Sequence, residues 1–529
     1  MTKQRMLRML WALAAAALLV LASCNQLPGQ GKKGGTFVLG LVAEPTSLDP
    51  AQLTDINSMR ILSSVYDTLV RFDEGGFELK AALATKWTVS TDGLTYTFEL
   101  RKNVKFHDGT PFNAAAVKFN FDRMLDPKHE FASTGPFPFA GFYYGSVKET
   151  KVTDDSTVQI ILKTPYSPLL NSLTLNQGRI VSPDAVKKYG KDYGQHAVGT
   201  GPFKLVEWQH GVRVVVERNN DYWDGAPLLD KIVFRPIPDE QTRFTELKSG
   251  NADAIVDVPP DNVAQVKSDN RYQYIEQPGP HIWWATFNLD KKPFSDLKVR
   301  QAVMYATNRD AISKDILKGT GTTANGPIPP SIKWAYTDDV TKYPYDQNKA
   351  KQLLADAGYP NGFSAVFWVP ESGSGMQSPK SMATAIQGDL AKVGIKLDIK
   401  TFEWGAYLTK YNAGFGTEAD MGAMSFMLDP GDPAPYLGLV ADSAAAAPNG
   451  FNAGGYKSAK VDQLLRQAVA TTDQGQRGKL YQQVEQEMAK DLPWLFVDNQ
   501  IQNAAITTKV HNLKLHPSFY IFFDKIWID

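Results

Sequence analysis

The chain moves between two hydrophobic rhythms. In its first half the period is two. Thr36-Phe-Val-Leu-Gly-Leu-Val is a short β-branched and apolar run that predicts a buried strand ending at Glu44-Pro45. Trp87 and Val89, an Asp92-Gly93 pair, and then Tyr96, Phe98 and Leu100 in alternation predict a hairpin turning on Asp-Gly. A second turn is expected at Asp108-Gly109-Thr110-Pro111. Asn113 behind it is placed to cap a helix carrying Val117, Phe121 and Met124 on one face. Residues 151–163 read as strand, polar turn, strand, and residues 199–218 as a hairpin around Gly211 with Val212, Val214 and Val216 on one buried face.

Later the period lengthens. Residues 298–312, 347–357, 379–393, 461–470 and 474–488 space their apolar side chains for helices, and Gly358 and Gly394 follow two of them as C-terminal caps. Residues 397–402 form a strand among these helices, so this half predicts an α/β domain. A single hydrophobic core stops growing at roughly 250–300 residues. With 529 residues the chain is expected to divide into two or three lobes.

Composition narrows the function. A hydrophobic fraction of 43% with 21% charged residues is that of an ordinary soluble body. Basic and acidic residues balance at 56 each, which speaks against a nucleic-acid partner. The first residues differ from the rest. Lys3, Arg5 and Arg8 precede an apolar run over 9–22, shorter than the ~20 residues that cross a bilayer and shaped like a secretory signal. It ends in Leu21-Ala22-Ser23-Cys24, which resembles the bacterial lipobox. That resemblance implies a signal peptide over 1–23, lipid attachment at Cys24 and a flexible tether over 24–35. The expected location is lipid-anchored at the outer face of the cytoplasmic membrane or in the periplasm. Cys24 is the only cysteine, so no thiol remains in the exported body for a disulfide or a metal.

Catalytic signatures are missing: there is no Gly-x-Ser-x-Gly elbow, Walker loop or His-Glu-x-x-His. The seven histidines, at 107, 129, 196, 210, 281, 511 and 516, are scattered, so neither a metal site nor a cofactor is expected. His107-Asp108 has the look of an acid/base pair, but it lies in a Gly-Pro turn where Asp and Gly serve the backbone.

Residues 87–123 (WTVSTDGLTYTFELRKNVKFHDGTPFNAAAVKFNFDR) resemble the signature of the family 5 extracellular solute-binding proteins, the dipeptide and oligopeptide type that serves ABC importers. Residues 199–225, 247–254, 287–306, 349–358 and 386–408 resemble the family's further landmarks in the right order. The resemblance implies a periplasmic-binding-protein-like α/β fold of the type II class: two hinged lobes with an extra domain. It divides the chain into lobe I (36–66, 199–285 and 501–529), an extra domain (67–198) and lobe II (286–500). It also implies a monomeric, non-enzymatic receptor that hands a peptide to the permease subunits of an ABC importer.

Its ligand residues carry over position by position. Within Phe426-Met427-Leu428-Asp429-Pro430-Gly431-Asp432-Pro433 the resemblance makes Asp429 the partner of a peptide's amine, with Met427 and Leu428 beside it. Thr46, Ser47 and Leu48 match the segment that pairs with the peptide backbone. Where dipeptide-specific relatives carry Arg-Pro-Tyr for the ligand carboxylate, this chain has Glu371-Ser372-Gly373-Ser374-Gly375-Met376. A longer peptide, another cation such as Lys380, or a ligand without a free carboxylate fits that departure, and Ser372, Gly373 and Ser374 offer hydroxyl and amide hydrogen bonds. Trp283, Trp284, Trp368 and Trp404 are candidates for stacking on the ligand. An oligosaccharide or other solute on the same scaffold, and a secreted hydrolase, stay open as alternatives.

Overall fold

Two strands far longer than the usual five or six residues (about 20 Å) organise the molecule. They are Tyr272–Phe287, with 16 residues, and Trp494–Thr507, with 14. The computed structural model describes residues 32–53, 55–371, 376–428 and 431–529. The expected signal peptide, Cys24 and most of the tether lie outside the described residues. At the tether's end Gly34 donates to the Leu228 carbonyl and Gly35 to the Asp230 carboxylate, so these two glycines already belong to the folded body.

The long strands pair antiparallel at the centre of an 11-stranded sheet. On one side follow Ala254–Val256, Thr36–Leu41, Lys231–Pro236, Arg213–Arg218 and Phe203–Gln209; on the other follow Met421–Met427, Ser364–Pro370 and Lys396–Phe402. Gly321–Thr323 pairs with Trp494–Thr507 off this path. The pairing of the two long strands slips twice, between Pro278 and Ile282 and between Trp283 and Trp284. The first slip follows from Pro278-Gly279-Pro280: proline has no ladder donor and is tolerated in a strand only at such an irregularity. A side chain at Gly279 would meet the Phe519 ring at 2.9 Å.

The apolar residues gather on either side of that slip. One core holds Ile282 to Val497, built from Trp284, Phe287, Phe367, Met421, Trp494 and the helices around them. A second joins Phe37, Leu39, Ile61, Val216, Phe234, Ala504 and Ile521. Helix Pro183–Tyr189 adds Ala185 and Val186 to this second core. A third fills a separate four-stranded antiparallel sheet, in the order Ala84–Val89, Thr95–Leu100, Thr157–Leu162, Val147–Asp154, under helix Ala114–Leu125. The mixed α/β, two-lobed architecture is as expected.

Local expectations fare well where turn chemistry decides them. Asn113 accepts from Ala116 N at the head of its helix, and Gly358 and Gly394 take the left-handed φ of +87° and +89° after theirs. Two readings need correction. Val212 lies in the turn, outside the ladder, and is exposed; Val214 and Val216 are buried, and so is Val215 on the opposite face. The helix expected over 298–312 stops at Ala306, because Asn308 accepts from Ala311 N and caps a new short turn that widens over Ile312–Ile316.

One ion pair ties the four-stranded sheet's helix to the segment after the first strand. The Arg123 guanidinium donates to both oxygens of Asp49, at 2.9 and 3.0 Å, with both side chains buried. Removing one partner strands the other charge, at a cost of about 3–5 kcal/mol. Arg123→Ala is therefore expected to lose stability of about that size in urea unfolding. Pairing Arg123→Met with Asp49→Asn, which keeps the Asp49 cap on Ala51 N, is expected to recover most of it; no recovery in the double variant rejects the charge argument.

Candidate functional site

The strands fix where a ligand has room. Thr36–Leu41, Lys231–Pro236 and Ala254–Val256 run parallel, and Val256 pairs with Ala504, so their carboxyl ends point toward residue 503 and the crossing of the long strands. Ser364–Pro370, Lys396–Phe402 and Met421–Met427 also run parallel to one another. Met427 pairs with His281, so these carboxyl ends meet the same crossing from the other half. In open α/β sheets ligands bind beyond strand carboxyl ends. Here two such edges face one seam.

Most of the expected ligand residues follow those edges. Thr46, Ser47 and Leu48 come after Leu41; Ser372, Gly373 and Ser374 after Pro370; Trp404 after Phe402; Leu428 and Asp429 after Met427. Ser372, Gly373, Ser374 and Asp429 lie outside the described residues, but the residues flanking them are well held. Leu428 is fully buried and donates to the Pro280 carbonyl at 2.6 Å. Gly431 accepts from Trp334 Nε1 through its carbonyl, and a side chain there would strike the Phe77 ring at 2.3 Å. Asp432 is buried, pairs with Arg477 at 3.1 Å, accepts from the Tyr481 hydroxyl and caps helix Pro433–Val440. Leu48 is pinned through both backbone groups: its N–H donates to the Gly194 carbonyl and its carbonyl accepts from the Tyr66 hydroxyl. Thr46 is exposed, and its N–H donates to Ser58 Oγ. Ser47 Oγ donates to Gln52 Oε1.

The tryptophans separate by face. Successive strand residues point to opposite sides, so Trp283 shares a face with His281, Ser425, Met427 and Asp498, its register partners and neighbours. Trp284 points the other way, into the larger core, where its Nε1 donates to Thr286 Oγ1 at 2.8 Å and its ring stacks on Trp494 at 4.5 Å. Trp368 is buried in that core beside Phe402 and Phe415. Trp404 is half-buried at the head of helix Trp404–Ala413, stacked on Tyr407. Lys380 is exposed in the first turn of helix Pro379–Ala391. The structure thus brings Trp283, and not Trp284 or Trp368, onto the face that carries Met427.

That face has a property sequence reasoning missed. His281 Nδ1, Trp283 Nε1 and Asp498 Oδ1 are all buried without a hydrogen-bond partner, and Asn499, Gln502 and Asn503 each leave one buried side-chain atom unpaired nearby. Buried polar groups are normally satisfied, so this concentration at the crossing marks a polar interior built for something other than packing. Burial drives the His281 imidazole down to about 3, only partly offset by the Asp257 carboxylate, so the ring is neutral. Asp257 itself pairs with the buried Arg60 at 3.1 Å. Burial alone pushes the Asp498 carboxyl up to about 7. The readable signal was Asp498-Asn499-Gln500-Ile501-Gln502-Asn503, a polar run inside an otherwise apolar strand. Among the described residues no group of three His, Cys, Asp or Glu side chains is placed to hold a metal ion, and no helix is long and apolar enough to cross a membrane.

Comparison with known proteins gives this geometry a context. Residues 78–448 match the family model described as bacterial extracellular solute-binding proteins, family 5 Middle. The chain is 35% identical to the heme-binding protein A of Haemophilus influenzae, over 97% of this chain and 98% of that one. It is 34% identical to a glutathione-binding protein of Pectobacterium atrosepticum, over 97% of each. Among solved structures it superposes on an ABC transporter-associated periplasmic binding protein of Helicobacter pylori in complex with the peptide STSA, with a TM-score of 0.83, 32% identity, and coverage of 94% of this chain and 98% of that one.

The raised Asp498 carboxyl makes stability depend on pH. Its folded pKa of about 7 lies above the ordinary 3.8, so between those values the folded state holds the extra proton. Stability therefore falls as pH rises through that window and levels off above it. The buried, depressed histidines act in the opposite direction, so the comparison is made against Asp498→Asn. Any melting-temperature gain of the variant over the parent is expected to be larger at about pH 8 than at about pH 5; an equal difference at both rejects the assignment.

Proposed function

The chain belongs to the bacterial extracellular solute-binding proteins of family 5, and from that premise we propose that it captures peptides in the seam between its lobes and delivers them to an ABC importer. The observation that carries this reading is the end-to-end fit to the Helicobacter pylori binding protein bound to the peptide STSA. The seam adds chemical support. A peptide brings N–H donors and carbonyl acceptors in alternation, and the crossing offers unpaired acceptors and donors on His281, Trp283, Asn499 and Asn503. Asp429 is the partner of the peptide amine. Its neighbours Leu428 and Gly431 are fixed by Pro280 and Trp334 on the seam side of their strand.

The rest of the reading follows from the same premise. Lobe I comprises 36–66, 199–285 and 501–529, the extra domain 67–198 and lobe II 286–500; the separate apolar cores fit this division except that 181–197 packs on the lobe I core and 282–285 on the lobe II core. Closure of the lobes about the crossing encloses the guest and creates the shape a permease recognises. The receptor does no chemistry on its ligand. It works as a monomer held by lipid on Cys24 at the outer face of the cytoplasmic membrane. Without an arginine at 371–376 to clamp a carboxylate, the site suits peptides longer than two residues.

Calorimetric titration with mixed di- to pentapeptides is expected to find micromolar or tighter binding, about −8 kcal/mol or better, and no binding to any of them rejects the reading. Asp429→Ala is expected to weaken free-amine peptides at least tenfold while leaving N-acetylated ones unchanged. Metabolic labelling with palmitate is expected to mark the parent and not Cys24→Ser.

A further inference from the structure

The peptide reading leaves Asp498 unused. It is 4% exposed and lies opposite Trp283 on one neighbouring strand and Thr323 on the other. Its Oδ1 has no hydrogen-bond partner and it takes part in no ion pair among the described residues. The space its carboxyl occupies is reserved: a side chain at Gly321 would meet Asp498 Oδ2 at 2.8 Å and Leu317 Cδ1 at 2.7 Å. Three other carboxylates on segments flanking the seam each hold a guanidinium. Asp49 holds Arg123, Asp432 holds Arg477, and Asp257 holds Arg60.

Among the described residues the charged groups around Asp498 do not supply a cation. His281 on the adjacent strand is neutral, and Thr323 gives its hydroxyl to Asp310. Arg309, packed behind the strand, is spent on the carbonyls of Ala324, Tyr343 and Phe496. Lys314 and Lys318 line an open hollow with Asp310 on the outer surface. An unpaired buried carboxyl is costly, and a core position with no need of one is filled more cheaply by an apolar or amide side chain.

We infer that Asp498 is a cation-accepting subsite in the floor of the seam, which takes the ammonium or guanidinium group of a ligand side chain, with the unpaired Trp283 Nε1 beside it donating to a ligand oxygen. A buried carboxylate repays its desolvation only when a full positive charge arrives, because a neutral donor returns a fraction of the interaction. A metal ion fits less well, since among the described residues no group of three His, Cys, Asp or Glu side chains is placed to hold one. The inference rests on the peptide reading, but concerns a different group from the amine held by Asp429. It makes the receptor selective for peptides carrying lysine or arginine.

The test compares tripeptides of alanine bearing lysine, arginine or norleucine at each position in turn, titrated calorimetrically into the parent, Asp498→Asn and Gly321→Ala at about pH 7.5. Norleucine keeps the length and apolar surface of lysine without its charge. At one position the parent is expected to prefer lysine or arginine over norleucine by about tenfold or more. The preference is expected to fall to near one in Asp498→Asn and to narrow in Gly321→Ala. Binding of norleucine and lysine peptides with equal affinity, or a preference that survives in Asp498→Asn, overturns the inference and leaves the peptide reading standing. Failure of every tripeptide and longer peptide to bind the parent overturns both.

Discussion

The whole architecture depends on two strands being shared. Tyr272–Phe287 and Trp494–Thr507 each give one end to the core containing Trp284 and Trp494 and the other end to the second half of the sheet. Between those ends the strands must leave one apolar environment and enter another, and at that point they are neither. The chain marks it with Pro278-Gly279-Pro280 on one strand and the polar run from Asp498 on the other. A broken ladder lined with polar groups is weak as packing and well suited to bending and to wetting. The same residues therefore join the two halves of the sheet and bring polar groups to the junction between their cores.

Strand direction then determines what surrounds that junction. Parallel strands deliver all their carboxyl ends to one edge, and the two parallel sets present those edges to the same seam. Segments as distant in sequence as Ser47, Asp257, Trp404 and Leu428 follow those ends. Around them the fold invests in rigidity. Leu48 has both backbone groups tied, Asp49 is clamped by Arg123, and Asp432 is held by Arg477 and Tyr481. Loops at a binding edge hold their aim only when their roots are fixed.

Much of this could be read from residue order alone, for reasons that differ by element. Hairpins set by Asp92-Gly93 and Gly211, the Asn113 cap and the Gly358 and Gly394 stops are decided within a few residues, and they appear as read. The family resemblance implied Thr46–Leu48, 372–374 and 427–429 as ligand segments, and in the chain these lie at or after the carboxyl ends of parallel strands. What escaped notice is what depends on register. Trp283 and Trp284 are adjacent and chemically identical, yet their faces differ, and only the pairing with Ser425 and Asp498 tells which one shares a face with Met427. Asp49 and Arg123 lie 74 residues apart with no local sign of their pairing. Asp498 lies inside one continuous strand, and its position opposite Trp283 and Thr323 is set by pairing with segments far away in sequence.

The shared strand also governs how the molecule comes apart. Trp494 to Val497 complete one core, and Ala504 and Ile506 enter the other, with Val510 to Ile528 following close behind. Peeling that segment away strips a central strand and part of the packing from both halves at once. Loss of either half therefore removes packing from the other, which couples their stabilities through one shared strand.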